Sequence, residues 1–163
     1  MIQKIKDNYI LVAFLLGLVA FITIFCPIVL FDYGGVIAVG ITGSQASFGL
    51  KLMEEEIFEF SFFNFITYFL TLAAVICIYM HELKKDSRLL VGAIVCFCAA
   101  TLLFFLSVEF LQYANSEIKK EIKTYVSLGA GAVIGGISCL IAALCTYLGW
   151  KENSVKNIES VDQ

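Results

Sequence analysis

One proline, one histidine and one tryptophan in 163 residues, with charge on only 15% of them, leave this chain poor in the side chains that usually carry chemistry. A typical soluble domain is about 25% charged. No Ser/His/Asp or Cys/His set, HExxH, P-loop or GxGxxG pattern occurs, so no enzyme, cofactor or metal is expected. A net charge of −3 makes no case for a nucleic-acid partner. No repeat of 20–50 residues suggests a solenoid.

The most telling absence is local. Charge is missing altogether from four long runs, 8–31, 60–80, 89–108 and 124–150. A helix needs about 20 apolar residues to cross a hydrocarbon core roughly 30 Å thick, and each run is long enough. Spans are therefore placed at about 9–31, 60–80, 89–111 and 124–150. The first follows Lys4 and Lys6 as a secretory signal would, but it is longer than a signal core and ends without a small-x-small site; it reads as a retained span. The expected fold is an all-α integral membrane protein: an antiparallel four-transmembrane-helix bundle forming one domain, with the lipid bilayer as its first partner.

Lys and Arg favour the cytoplasmic side. Lys4, Lys6, Lys84, Lys85, Arg88, Lys151 and Lys156 fall on the side of the termini, against Lys51, Lys119, Lys120 and Lys123 opposite. This predicts a multi-pass protein of the plasma (cytoplasmic) membrane with both termini cytoplasmic. It has an outer loop 32–59, an inner loop 81–88, a second outer loop 112–123 and a cytoplasmic tail 151–163.

The stretch 33–50 also lacks charge, but Gly34, Gly35, Gly40, Gly43 and Gly49 would each cost about 1 kcal/mol inside a helix. Its alternation puts Ile37, Val39 and Ile41 on one face and then, past Gly43 and Ser44, Ala46, Phe48, Leu50 and Leu52. A short β-hairpin is expected there, with a re-entrant loop as the alternative. Glu54, Glu55, Glu56 and Glu59 read as the solvated start of the second helix, or else as a docking or cation-attracting patch. Asn115 or Ser116 is expected to cap a helical turn whose wet face holds Glu117, Lys119, Lys120, Glu121 and Lys123.

Helices in lipid associate by close packing of small residues. Ser127, Gly131, Gly135, Cys139 and Ala143 recur every four residues in the last span, and Gly92, Cys96 and Ala100 offer a match in the third. These two spans should pack most closely; the alternative use of the Gly131/Gly135 strip is a homodimer. Pro27 should loosen or end the first span. All six cysteines lie within spans and read as small apolar filler. The hydroxyls of the spans, Ser107 among them, are expected to bond to their own helix backbone.

Two polar side chains stand out as functional candidates. His81 sits at an inner helix end, and Glu109 lies among apolar neighbours near the outer end of the third span, where an ionisable residue is a candidate by default.

In layout the chain resembles the claudin-like family of four-helix membrane proteins, with inside termini, a long strand-forming first outer loop (32–59), a short inner hairpin and a shorter second outer loop. The family's Trp-Gly-Leu-Trp signature and its two following cysteines are absent: Trp150 is the sole tryptophan and 32–59 holds no cysteine. The family's adhesive and pore-forming roles are therefore not carried over. Its Ile, Phe and Lys usage also looks like that of small four-span proteins of AT-rich bacteria. The function expected from all this is a non-enzymatic scaffold or accessory subunit of a membrane complex, with a heterologous partner or a second copy. The alternative is an oligomeric small transporter or channel with Glu109 near its outer mouth.

Overall fold

The computed structural model describes residues 2–33, 37–52, 55–116, 119 and 125–159, with side-chain surroundings for 8–31, 39–51, 56–116, 119 and 125–151. Four long helices dominate: α1 (Ile2–Ile22), α3 (Phe62–Lys84), α4 (Ser87–Phe105) and α5 (Ala130–Glu159). Between them lie a short helix α2 (Gly43–Phe48) and five strands: β1 (Pro27–Tyr33), β2 (Ile37–Thr42), β3 (Leu50–Leu52), β4 (Glu55–Phe58) and β5 (Val126–Leu128). Four segments are long and apolar enough to cross a membrane: Asn8–Phe25, Phe62–Lys84, Ser87–Phe105 and Ala130–Lys151. The first of them includes a 3-10 turn, Thr23–Phe25, that closes α1.

The bundle is small inside and large outside. Ala13, Ala20, Ala74, Ala93, Ala100, Ala132 and Ala142 are sealed in the interior, whereas Leu11, Phe69, Ile76, Val95, Leu102 and Leu144 point outward and are exposed. So large an apolar exterior is foreign to a soluble monomer. α5 packs most extensively along α4 and then α1, and α4 packs along α3; of these four neighbouring pairs α1 and α3 touch most sparsely, while α1 with α4 and α3 with α5 barely meet.

The ends of the helices explain where the spans begin and stop. Ser61 caps α3 by accepting from Asn64 N, and Asp86 caps α4 by accepting from Arg88 N. Lys85 adopts the left-handed conformation (φ 54°) and donates its N–H to His81 O, so the expected inner loop 81–88 contracts to Lys85 and Asp86.

At the opposite end the expected boundaries need correction. The first span stops at Phe25, because 27–33 forms a strand that Pro27 opens; proline lacks the N–H a helix interior needs and is tolerated at a strand's first residue. The third helix ends at Phe105 rather than 111, giving way to successive turns over 106–110. The last begins at Ala130 rather than 124, because 126–128 pairs with β1. It runs on to Glu159, so most of the expected tail 151–163 is helical.

The expected hairpin exists with a different partner. β2 pairs antiparallel with β1, not with 46–52. Gly43–Phe48 is helical because Thr42 and Gln45 form a capping box, each side chain holding the other's backbone N–H, and that local bonding overrides the alternating pattern. β5 joins the other side of β1 to give a sheet of order β2-β1-β5. β3 and β4 form a second ladder, in which Lys51 and Glu56 approach to 3.9 Å. The acidic run is thus strand rather than helix start at Glu55 and Glu56; Glu54 lies outside the described residues.

Candidate functional site

The sheet end of the bundle concentrates polar side chains, and α3 positions them. Ser61, Asn64, Tyr68 and Thr71 recur at helical spacing on its inward face, and all are buried. Two of them bond across to the unwound end of α4. Ser61 Oγ donates to Phe110 O at 2.6 Å, and Asn64 Nδ2 donates to Ser107 O at 3.3 Å. Helix ends leave carbonyls without intrahelical partners, and here the first turn of α3 supplies two of the missing donors. One turn further on, the Tyr68 ring stands edge-on to Phe104 with centroids 5.4 Å apart.

Outside this clasp lies an aromatic collar. Phe48, Phe60 and Phe65 meet with centroids 5.6–6.5 Å apart, and Phe63 stacks on Phe110 at 4.5 Å. Phe48, Phe60 and Phe63 are exposed. Above it, β2 forms one margin of the three-stranded sheet, with Val39 52% exposed. The second connection rests on β4: Glu59 N donates to Gln112 O, Ala114 N donates to Ile57 O, and the Tyr113 ring lies 5.3 Å from that of Phe58. Burial first, and then the Glu109 carboxylate, push the Tyr113 hydroxyl above the ordinary tyrosine value of 10.0.

The expected site residues scatter. Glu109 is exposed on the turns after α4, beside Tyr113 rather than inside the bundle. Lys119 is exposed, while Lys120 and Lys123, its companions in the expected cluster, lie outside the described residues. His81 is buried at the other end of α3, where Nδ1 lies 2.8 Å from Asp86 O and ties down the α3–α4 turn. Among the described residues no three His, Cys, Asp or Glu side chains are grouped to hold a metal.

The small-residue strip is real from Gly131 onward. A methyl group on Gly131 would fall 2.8 Å from Pro27 O, and one on Gly135 would fall 2.7 Å from Phe104 Cε1 and 2.9 Å from Thr23 Oγ1. Cys139 is buried with its Sγ 3.9 Å from Thr71 Oγ1, and Ala100 is sealed against the interior. The face proposed for a dimer is therefore filled by the chain's own α1, α3 and α4. Ser127 does not belong to the helical ridge: it is exposed on β5, opposite Leu30. Gly92 is loosely surrounded, its nearest neighbour being Cys77 Sγ at 3.8 Å, and Cys96 beside it on α4 is half-buried.

Most interior hydroxyls bond backward as expected: Thr67 to Phe63 O, Thr71 to Thr67 O, Thr101 to Phe97 O and Thr146 to Ala142 O. Ser107 does not: its Oγ has no partner within the chain. The reading of the sequence missed Asn64 altogether; its signal was the Ser61-x-x-Asn64 spacing ahead of an apolar run, a helix-start pattern. At the other end, where α1 and α3 diverge, a groove of about 360 Å³ is lined by Ile10, Leu11, Phe14, Ile78, Tyr79 and Glu82. No protein-family model matches the chain, and no curated protein matches it.

Proposed function

We propose that this is a multi-pass plasma-membrane protein with cytoplasmic termini, and that it serves as a non-enzymatic scaffold or accessory subunit of a membrane complex, docking through its sheet end. One observation carries the reading. The helices spend their small-residue faces on one another, while β2 keeps a margin unpaired among the described residues and a half-exposed Val39 at the rim of the sheet. A sheet edge offers a row of backbone donors and acceptors to a strand from another chain. The exposed phenylalanines of the collar, at the level where helices give way to strands, suit the membrane–water interface. The resemblance to claudin-like proteins is carried forward as layout alone.

Native mass spectrometry of the gently extracted protein tests this. A second protein in fixed ratio, released by Val39→Lys while the thermal unfolding midpoint stays unchanged, is the expected result. A pure homo-oligomer whose solute flux in liposomes falls with Glu109→Gln would replace the scaffold reading with the transporter.

A further inference from the structure

We propose that the junction between α3 and the unwound end of α4 is a binding site for water, held between Asn64 Oδ1 and Ser107 Oγ. Both side chains are sealed, Asn64 being 1% and Ser107 2% exposed. Neither atom has a hydrogen-bond partner within the chain. Buried polar groups are paired almost without exception, by protein or by ordered water, so an unpaired couple marks a place where something small binds.

The two atoms belong to one contact. The Asn64 amide already lies against Ser107, with Nδ2 donating to Ser107 O at 3.3 Å, so the two unpaired atoms belong to side chains of residues in direct contact. Exchanging the amide oxygen and nitrogen would not help: it would set Oδ1 against a carbonyl oxygen and leave Nδ2 unpaired. Ser107 does not satisfy itself as Thr101 does with Phe97 O: its Oγ makes no bond back to the end of α4. Tyr68 OH sits one turn along the same face of α3, wedged against Gly43 and close to the Thr23 hydroxyl, which donates to Ala20 O.

The chemistry selects the ligand. It must donate to Oδ1 and exchange a hydrogen bond with a hydroxyl, both of them sealed from bulk solvent. Water does both. A sodium ion would gain from the carbonyl end of α4, but Asn64, Ser107 and Tyr68 carry no charge to neutralise it. On this assignment an exchangeable solvent molecule completes the joint that Ser61 and Asn64 make with the end of α4.

X-ray radiolytic hydroxyl labelling of the full-length protein in nanodiscs, read by mass spectrometry, decides the matter, because radicals form at bound water. Phe104, which touches Tyr68 and precedes Ser107 by one turn, should label about tenfold faster than Phe97, an equally buried phenylalanine in the dry half of the bundle. The Asn64→Leu/Ser107→Ala double variant should lose that excess. Equal labelling of the two phenylalanines in the unmodified protein overturns the proposal without reliance on any variant. It is also overturned if sodium, but not choline, raises the thermal midpoint and Asn64→Leu abolishes the rise, since the site would then hold a cation.

Discussion

The interior of this bundle changes character along its length. Toward the sheet it holds Thr23, Asn64, Thr67, Tyr68, Thr71, Thr101 and Ser107; toward the termini it is Ala74, Val75, Ile78, Leu90, Ala93 and Phe97, with Thr146, bonded to its own helix, and His81 as the polar exceptions among the described residues. The dry half is held by contact alone. Phe97 fills the space beside Gly17, where a methyl group would fall 2.9 Å from its Cζ and 2.5 Å from Val75 Cγ2. The polar half is held by directed bonds between α3 and the end of α4, and these fix which turn meets which. In the bilayer setting proposed above, where the solvent is as apolar as leucine, burying apolar surface does not choose between alternative alignments, so shape does so in one half and hydrogen bonds in the other.

Three substitutions test that division. Phe97→Ala empties the dry half and should cost most, about 3–5 kcal/mol, measured as chemical unfolding in micelles. A loss no larger than that of an exposed leucine would deny the dry half its dependence on shape. Gly135→Leu crowds the polar half against Phe104 and Thr23 and should cost about 1–3 kcal/mol by the same measurement. Gly131→Leu should match or exceed it, because the obstruction is the backbone carbonyl of Pro27, which cannot swing aside as a ring can.

Beyond the bundle, Tyr113 gives the sheet end a pH dependence. Burial and the neighbouring Glu109 raise its hydroxyl above 10.0, so the folded protein favours the protonated phenol more than the unfolded chain does. That stabilisation is complete below pH 10 and is lost as pH rises through the elevated value. Amide exchange at 55–58 and 112–114, corrected for the intrinsic rate, should quicken there, and Tyr113→Phe should remove the dependence. The smallest effect is expected for Gly92→Ala, within about 0.5 kcal/mol, because nothing lies closer than 3.8 Å. A large loss would restore Gly92 to the packing set it was first assigned to.

How much of this could be read from the chain follows the same divide. Runs free of charge announced the four long helices, since length and apolarity are local properties. Their ends at the sheet were not legible, because β1, β2 and β5 are as apolar as the spans they adjoin, and β1 and β5 pair across a separation of about a hundred residues. The period-2 pattern found Ile37, Val39 and Ile41 correctly, but their partner lay on the near side, inside what looked like helix. Beyond Thr42 the pattern misled, since the Thr42–Gln45 capping box decides that segment locally. Four-residue spacing identified Gly131, Gly135 and Cys139, and ran one step too far to Ser127 because a repeat does not mark where a helix begins. The clasp was invisible for another reason: Asn64 and Ser107 meet only because α4 stops at Phe105, an event that no residue near 105 signals by type.

β1 follows α1 after one 3-10 turn, and β5 is separated from α5 only by Gly129, whose N–H donates to Ile28 O at 2.7 Å. The sheet is therefore a yoke rather than a flexible awning. A pull on β2 passes through the β1 ladder and is shared at once by two helices that run in opposite directions. Strands laddered side by side resist such a load in shear, where several hydrogen bonds must break together, so a partner gripping β2 would tilt α1 and α5 as a pair before it could peel the sheet away.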